Sequence, residues 1–314
     1  MSMIEPFNGD FDELASLMKA SWSENKKEPL EYSARFLRSA LLDQPGSNFD
    51  LCPSIYENGR LIAFGAGFSR TVRLPNGETC RILLDSFITV APGHKGQGLG
   101  KAIWNGIAEV GRQKGFDGLI TFCVEGDRMN DHLLQYAAEC NLPTSKSMLI
   151  RYLARPVRSK DVAAEDQADV SSLQDFVPST PLTRAWSEAE VKWQCLDRDG
   201  AFGCTLHSRG VTGTISAYKM RTAGANPVLC GLVDFIVWDN LEREEQLQMV
   251  SSLLNSAAAS GVQLLLIPML GYTSLDAFAS SGFRTTSRAL QMYLTSLSGR
   301  LATDNVSSAY IDVF

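Results

Sequence analysis

The 314-residue sequence predicts an α+β protein with mixed α/β sheets, built as two similar domains, each a mostly antiparallel sheet flanked by helices. Three observations predict this class. Apolar runs with strand-like and helical spacing occur twice along the chain in the same order. A strand-like run, 82–90, leads into a glycine-rich segment and then into an amphipathic helix. A polar, charged stretch at 155–169 separates the two halves and is typical of a linker.

The first half begins with helical spacing and continues with strand signals. Apolar residues between Phe11 and Leu42 recur at helical intervals, and the Asn76-Gly77 pair is a hairpin signal between two apolar runs. The helix after the glycine-rich segment is expected to end at Gly115. The remaining predicted elements are strands at 51–56, 61–72, 80–90, 119–124 and 147–153, and a helix at 130–140.

The second half repeats this order. Asp234 is matched with Asp85 and Gly261 with Gly115, which indicates an internal duplication with domains at 1–155 and 170–314. Where the first half has its glycine-rich segment, the stretch 238–245 has no glycine and four acidic residues. Negative side chains repel phosphate, so only the first copy is predicted to bind an anion. Predicted strands lie at 202–207, 212–218, 228–238, 262–267 and 289–294, and helices at 247–258 and 274–281.

Composition excludes several classes of function. The net charge of −6 and the lack of a Lys/Arg-rich stripe argue against nucleic acid as a partner. No apolar run reaches 18 residues and the N-terminus lacks the features of a signal peptide, so no membrane association and a cytoplasmic location are expected. The seven cysteines form no Cys-x-x-Cys pair and the three histidines are widely spread, so no metal site is expected.

The segment Lys95-Gly96-Gln97-Gly98-Leu99-Gly100 is the candidate anion site. A strand, a glycine-rich turn and a helix together present backbone N–H groups to phosphate at the helix N-terminus, and glycine lets the ligand approach closely. Two other phosphate motifs fit less well. A P-loop needs Ser or Thr after its lysine, but Ala102 follows Lys101, and the acidic residue of a dinucleotide fold has no counterpart.

Val90-x-Pro92, two further residues and then the segment 95–100 resemble motif A of the GNAT family of N-acetyltransferases, Gln/Arg-x-x-Gly-x-Gly/Ala. Lys95 stands where the family has Arg or Gln, a mild departure because the loop acts mostly through its backbone. The predicted order of elements around the motif also matches the family over the first domain. The second domain resembles a degenerate GNAT domain in a tandem arrangement.

The resemblance implies acetyl-CoA, or another acyl-CoA, as co-substrate. Backbone N–H groups of Gln97 to Lys101 would hold the pyrophosphate. Backbone groups of Ile88 and Val90 would pair with the pantetheine arm, and one of their N–H groups could polarise the thioester carbonyl. Strands 82–90 and 119–124 are expected to splay apart there. The implied cofactor-binding residues are Ile88, Val90, Lys95, Gly96, Gln97, Gly98, Leu99, Gly100 and Lys101.

Two carboxylates are candidates for the general base. Asp85 lies in the strand beside the expected slot, but the matching Asp234 in the second half favours a shared structural role. Glu125 follows strand 119–124 where the slot should open, and it is a base, a clamp on a cationic substrate or a solvated loop carboxylate.

Tyr136 is the candidate general acid. The resemblance implies an Asn, six intervening residues and then a Tyr, shortly before Gly-Phe, with the Tyr placed to protonate the leaving thiolate. Counted from Asn130, that position holds Ala137, and Asn141-Leu142 replaces Gly-Phe. A one-residue slip rotates a helical side chain by about 100°, so Tyr136 is either the acid or a core aromatic residue.

The predicted function is N-acetyl transfer from acetyl-CoA by direct attack of an amine in a ternary complex, with a small-molecule or peptide acceptor. A homodimer is compatible with the sequence. The alternative is a non-catalytic acyl-CoA-binding sensor or scaffold protein. A hydroxyl acceptor or a longer acyl chain is also open, because nothing in the sequence selects chain length.

Overall fold

The computed structural model describes residues 3–23, 30–158, 173, 176–178, 180–223, 226–301 and 306–313. Contacts divide the chain into two compact units. The first comprises Met1–Leu149 and Leu290–Ser307, and the second comprises Ile150–Ala289 and Ser308–Val313. Most of the predicted linker, 159–169, lies outside the described residues.

The elements in the first part of the chain follow the predicted order. The long helical segment is divided into two helices, the second of which continues as a π-helical turn at Ser39–Asp43. The elements are β1 Ile4–Pro6, α1 Phe11–Ser23, β2 Leu30–Glu31, α2 Ala34–Arg38, β3 Pro53–Glu57, β4 Arg60–Arg73, β5 Thr79–Val90, α3 Leu99–Gln113, β6 Gly118–Val124, α4 Arg128–Glu139 and β7 Thr144–Pro156.

The second part of the chain repeats the pattern. A short helix again continues as a π-helical turn, at Trp193–Asp197, before three antiparallel strands. The elements are β8 Leu182–Ala185, α5 Glu188–Lys192, β9 Ala201–Ser208, β10 Val211–Thr222, β11 Leu229–Val237, α6 Arg243–Ala259, β12 Leu264–Pro268, α7 Asp276–Ser280, β13 Arg284–Ser296 and β14 Ala309–Tyr310.

Each unit contains a mostly antiparallel sheet, and the strands on either side of its longest helix pair in parallel. In the first unit, β1, β3, β4 and β5 pair antiparallel in that order, and β5 pairs parallel with β6. In the second unit, β9, β10 and β11 pair antiparallel, and β11 pairs parallel with β12. The predicted fold class, mixed sheets flanked by helices in two similar domains, is confirmed.

The last strand of each unit comes from the other half of the sequence. Leu290–Ser296 of β13 pairs antiparallel with β6 in the first unit, and Tyr152–Pro156 of β7 pairs antiparallel with β12 in the second. The sequence-based domains follow chain order, whereas the compact units exchange these strands. Short apolar strands in duplicated halves have the same pattern, so the pattern alone does not specify which sheet each one joins.

Local details support the duplication. The turns Asn58-Gly59 and Arg209-Gly210 both have positive φ at both residues, 50° and 76° in the first and 50° and 80° in the second. This is the conformation of the two-residue type I′ turn that suits the twist of a β-hairpin. The helices before the two π-helical turns are both N-capped by serine, Ser33 and Ser187.

Helix α3 packs closely on the sheet of the first unit. A Cβ atom added at Gly65 of β4 would lie 2.4 Å from Cγ2 of Ile103, so only glycine fits beneath the helix. Ile103 and Ile107 are buried in one apolar cluster with Leu83 and Leu119. This packing confirms the predicted apolar face of the helix and fixes the position of its N-terminal turn.

A buried ion pair in the second unit gives a stability prediction. Arg184 Nη1 lies 2.7 Å from Asp312 Oδ1, and both side chains are 1% exposed. Asp312→Ala leaves the buried Arg184 guanidinium with the longer ion pair to Glu190, 3.5 Å from Nη2, so the variant should lower the free energy of unfolding by about 3–5 kcal/mol. The control Asp197→Ala removes the exposed Lys192–Asp197 pair and should cost about 0–1 kcal/mol. Equal shifts of the urea midpoints of the two variants would contradict the prediction.

Candidate active site

Strands β5 and β6 separate part-way along their length. Their parallel ladder runs from Ile82↔Gly118 to Asp85↔Thr121, and within 79–124, all of it described, no later pair joins them. β5 nevertheless stays paired with β4 as far as Val90, and β6 stays paired with β13 as far as Val124. A gap therefore opens between the two strands after Asp85, as the sequence analysis predicted.

A β-bulge lies at the start of this gap. The β4–β5 register shifts between Ala66↔Ser86 and Phe64↔Thr89. In the bulge Phe87 has φ 59°, a left-handed conformation that is unusual for a bulky residue. Ring contacts with Tyr32 at 5.1 Å and Phe68 at 5.7 Å hold the buried Phe87 side chain in place. Bulges of this kind redirect backbone groups beside functional sites.

The edge of β5 that faces the gap carries backbone donors. The N–H of Ala91 donates to the carbonyl of Ile62 at 2.8 Å and therefore points towards β4. Successive N–H groups of a strand alternate in direction, so the N–H of Val90 points to the opposite edge, where β6 has left the ladder. Ile88 lies in the bulge itself. Both residues predicted to bind the pantetheine arm thus lie in the part of β5 that lines the gap.

The glycine-rich loop leads directly into α3. Gly96 and Gly98 have φ 82° and 79°, and a Cβ atom added at either would have no heavy atom within 4 Å. The N–H of Ala102 donates to the carbonyl of Gly98, whereas the N–H groups of 96–101, all described, have no backbone acceptor. Donors without partners, open space and the positive end of a helix dipole together fit a phosphate group.

The two lysines of the loop are bound to protein groups. Lys95 Nζ donates to the carbonyl of Ser21, in the last turn of α1, at 2.8 Å. Lys101 forms an ion pair with Glu139 of α4, which raises the pKa of Lys101 and lowers that of Glu139. The loop therefore presents mainly backbone groups, which fits the replacement of the usual Arg or Gln by Lys95.

Asp85 is the last residue of β5 that pairs with β6, and it is 2% exposed. Thr121 Oγ1 donates to Asp85 Oδ2 at 2.8 Å, and Trp104 Nε1 donates to Thr121 Oγ1 at 3.4 Å. Burial raises the pKa of Asp85 to about 7, although the hydrogen bond from Thr121 acts in the opposite direction. Asp85 Oδ1 is buried and has no hydrogen-bond partner among the described residues.

Asp234 differs from Asp85 in both position and partners. It lies in a bulge of β11 beyond the last β11–β12 pair, Leu232↔Leu266, whereas Asp85 is itself paired with β6. It accepts hydrogen bonds from Gln194 Nε2 at 3.0 Å and Arg198 Nη1 at 3.1 Å. Burial raises the pKa of Asp234 to about 6, and Arg198 opposes this. The sequence match between the two aspartates is therefore not a structural equivalence, and the argument for a shared role is wrong.

Glu125 lies in the turn after β6, at the open end of the gap, and its side chain is exposed. No hydrogen bond or ion pair joins its carboxylate to another described residue. The structure thus offers two different carboxylates, a solvated one at the mouth of the gap and a buried one, Asp85, where the gap begins.

Tyr136 lies half-buried on α4, close to the first turn of α3. The ammonium of Lys101 lies 5.7 Å from its ring centroid, and the ring of His132 stacks on it at 5.9 Å. The next residue, Ala137, is 1% exposed and belongs to the core. The one-residue slip therefore places alanine in the core and Tyr136 beside the α3 turn that follows the glycine loop.

Asn141 occupies the position that the glycine of the Gly-Phe pair has in the GNAT pattern. Its φ is 54°, and the N–H of Leu142 donates to the carbonyl of Ala137, as in a helix C-cap. Asn tolerates this left-handed conformation better than most residues, which explains why the helix ends here without glycine.

The second unit satisfies the equivalent donors with its own side chains. At the start of α6, Glu242 and Glu245 form a reciprocal capping box, so carboxylates already bind the helix N-terminus. On the edge of β11, the N–H of Ile236 donates to the hydroxyl of Tyr272 at 2.9 Å. The anion site and the strand edge are thus closed in the second unit and open in the first.

Sequence reasoning missed three residues that shape these sites. Thr121 and Trp104 contact or support Asp85, and Tyr272 caps the edge of β11. The signal for Thr121 is a hydroxyl inside the otherwise apolar run 119–124. The position of Trp104 in the α3 sequence is that of a packing residue, and nothing in the sequence connects Tyr272 with Ile236.

Several other features bear on the choice of chemistry. Among the described residues, no group of three or more His, Cys, Asp and Glu side chains is arranged to hold a metal ion. The same part of the chain contains no helix with the length and apolar character needed to cross a bilayer. The cysteines are free, and burial raises the thiol pKa of Cys52 and Cys195 to about 12, which disfavours thiolate chemistry.

The site combines a glycine loop at a helix N-terminus with a strand edge from which β6 has separated, which is the arrangement that the resemblance implies. Residues 11–140 match the model of the acetyltransferase (GNAT) family. This match confirms the predicted resemblance to the GNAT family.

Solved structures of N-myristoyltransferase from Saccharomyces cerevisiae with bound myristoyl-CoA share the fold of nearly the whole chain. The alignment with one of them has a TM-score of 0.75 and 13% sequence identity, and it covers 94% of this chain and 78% of the N-myristoyltransferase chain. The alignment with a second has a TM-score of 0.72 and 13% sequence identity, and it covers 93% of this chain and 82% of the N-myristoyltransferase chain. At this identity the likeness concerns the fold alone. No curated protein shows significant sequence similarity to the chain.

The buried carboxyl of Asp85 predicts a specific pH dependence of stability. Its pKa of about 7 exceeds the usual 3.8, so the native state keeps a proton that the unfolded state releases between these values. Stability therefore falls as pH rises through this window, by up to about 4 kcal/mol. Asp85→Asn should remove this loss and be more stable than the parent protein at pH 8, but not at pH 4, in urea denaturation.

The control for this measurement is Asp50→Asn. Lys114 lowers the pKa of the exposed Asp50, so this variant should change the pH dependence in the opposite sense and slightly. If Asp85→Asn left the pH dependence unchanged, Asp85 would titrate in its ordinary range.

Proposed function

We propose that the protein transfers an acetyl group from acetyl-CoA to an amine by direct attack in a ternary complex. The acceptor is a small molecule or a peptide. The observation that carries the proposal is the set of backbone donors without partners at the glycine loop, continuous with the free edge of β5. The second unit supports it as an internal comparison, because the same two places there are filled by Glu242, Glu245 and Tyr272.

In this proposal each part of acetyl-CoA has a counterpart in the first unit. The N–H groups of 96–101 bind the pyrophosphate, and the edge of β5 at Ile88 and Val90 pairs with the pantetheine arm. The Val90 N–H is the donor for the thioester carbonyl, whose oxygen gains negative charge during attack.

The chemical step forms a C–N bond and breaks the C–S bond. The amine nitrogen attacks the thioester carbon, and the thiolate of CoA leaves. We propose Tyr136 as the acid that protonates this thiolate, and Asp85 or Glu125 as the base that receives the proton of the ammonium substrate.

The length of the acyl chain is the part of the proposal to test first. The structural neighbours hold myristoyl-CoA, so the fold also accommodates a long acyl chain in those proteins. Calorimetric titration with acetyl-CoA and with myristoyl-CoA, followed by measurement of CoA release with a panel of amines, separates the cases. Tight binding of acetyl-CoA at one site with amine-dependent CoA release supports the proposal.

The other outcomes of this experiment have different consequences. Preference for myristoyl-CoA by tenfold or more would replace acetyl with long-chain acyl. Binding without CoA release from any amine would favour the sensor or scaffold alternative. Failure to bind any CoA ester would exclude the whole proposal.

Gly98→Val should abolish acyl-CoA binding. The position has φ 79°, and the new side chain would occupy the open space in front of the N–H donors. Gly77→Val is the matched control, because Gly77 has φ 83° and equally open surroundings in the β4–β5 turn. The two substitutions thus introduce similar backbone strain. Only Gly98→Val should lower the affinity for acyl-CoA, by at least 100-fold as measured by calorimetry. Equal affinities would refute the assignment of the loop.

Tyr136→Phe removes the hydroxyl and keeps the ring that contacts Lys101 and His132. The rate of acyl transfer should fall by about 10²–10⁴-fold, the usual contribution of a general acid. The affinity for acetyl-CoA should change little. The control is Tyr56→Phe, because the Tyr56 hydroxyl accepts a hydrogen bond from the Asn8 N–H and lies far from Tyr136 along the chain. A rate equal to that of the parent would remove Tyr136 from the mechanism.

A further inference from the structure

Asp85 is connected to α3 through a chain of two hydrogen bonds. The indole N–H of Trp104 donates to Thr121 Oγ1, so the hydroxyl proton of Thr121 is left to donate to Asp85 Oδ2. Trp104 is fully buried and Thr121 is 3% exposed, so neither side chain exchanges these bonds readily with water. One oxygen of the carboxyl is thereby fixed in direction.

The other oxygen, Asp85 Oδ1, is buried without a hydrogen-bond partner among the described residues. An unpartnered carboxylate oxygen is costly inside a protein unless a water molecule or a substrate group supplies the missing hydrogen bond. Asp85 is also the last β5 residue paired with β6, so the gap begins at the next residue. The free oxygen therefore belongs to the residue nearest the start of the gap.

The groups packed around this carboxyl are uncharged at neutral pH. β4 contributes Gly67, which is opposite Asp85 in the ladder, and α3 contributes Trp104. β6 contributes Thr121 and the thiol of Cys123, whose pKa burial raises further above its ordinary value. Burial therefore raises the pKa of Asp85, hydrogen bonding by Thr121 and Trp104 opposes this, and no charged group among the described residues contributes.

We propose that Thr121 and Trp104 are positioning residues that hold Asp85 as the proton acceptor of the acyl transfer. This inference rests on the proposed function and selects Asp85 over Glu125. Thr121 stabilises the ionised carboxylate through Oδ2, and Oδ1 receives the proton through one water molecule.

The protons of the reaction balance in this scheme. The ammonium acceptor loses one proton to Asp85, which later releases it to solvent. The neutral nitrogen then forms the C–N bond, and its second proton passes to the departing sulfur through Tyr136. The products are the amide, CoA thiol and one proton in solution.

The test is the pH dependence of the rate in Thr121 variants. In the parent protein kcat should rise with pH and level off above about 7, where burial places the pKa of Asp85. Thr121→Val removes the hydrogen bond to the carboxylate and should move this inflection upwards by about one to two pH units. Thr121→Ser restores the hydroxyl and should restore the inflection. Trp104→Phe should move it in the same direction as Thr121→Val, by less.

The matched control is Thr295→Val in β13. Thr295 is fully buried beside β6, and its hydroxyl bonds that of Thr144 at 2.9 Å rather than a carboxylate. This variant should keep the parent inflection. Acetyl-CoA affinity, measured by calorimetry, should be the same in all the variants, because none of them changes the glycine loop.

The outcomes distinguish a failure of the positioning role of Thr121 and Trp104 from a failure of the proposed function. An unchanged inflection in both Thr121→Val and Trp104→Phe, with normal turnover, would overturn the inference and leave the proposed function intact. If the parent protein binds acetyl-CoA but never releases CoA, the proposed function fails. The ¹³C NMR titration of the Asp85 carboxyl then decides the positioning role, which is refuted if Thr121→Val does not shift it.

Discussion

Backbone N–H groups need acceptors, and this requirement organises both units of the protein. In the first unit the donors at 96–101 and on the free edge of β5 have no backbone acceptor among the residues that the structure describes. In the second unit, carboxylates of Glu242 and Glu245 and the hydroxyl of Tyr272 supply acceptors at the corresponding places. Open donors at a helix N-terminus favour an anionic ligand, which supports the proposal that the first unit binds one, whereas the second unit satisfies its own donors.

The splayed strands and the packing of α3 depend on the same local geometry. The bulge at Phe87 changes the register of β5 against β4, and the close contact of Gly65 with Ile103 brings α3 down onto that strand. The helix N-terminus, the glycine loop and the free edge of β5 then follow one another without interruption. Asp85 and Thr121 join β5 and β6 at the last point where the strands still pair.

Much of the first unit could be predicted from the sequence because its signals are local. The strand-like run 82–90, the glycines of the loop and the apolar face of α3 each reflect a short-range requirement of the backbone or of one helix face. The exchange of β7 and β13 was not predictable, because both strands carry the same apolar pattern and pairing partners are set by long-range contacts. The helix C-cap at Asn141 is intermediate in predictability. Its left-handed conformation is a local feature, but glycine is the residue that usually adopts it.

The candidate site likewise combines features with local sequence signals and features that depend on long-range contacts. The backbone donors of the loop were predictable from glycine positions, whereas the surroundings of Asp85 depend on Thr121 and Trp104, which lie 36 and 19 positions away in sequence. The apparent match of Asp85 with Asp234 arose because the corresponding apolar strands of the two halves each carry one aspartate. Their different partners, a hydroxyl in one unit and the Arg198 guanidinium in the other, appear only in the folded protein.

We infer that one unit holds an open acyl-CoA site and that the other unit has closed its own. The decisive experiment is hydrogen–deuterium exchange of the full chain with and without acetyl-CoA. We expect added acetyl-CoA to slow exchange in peptides covering 86–102 and to leave exchange in those covering 234–246 unchanged. Protection of 234–246, or no protection of 86–102 by any acyl-CoA, would contradict it.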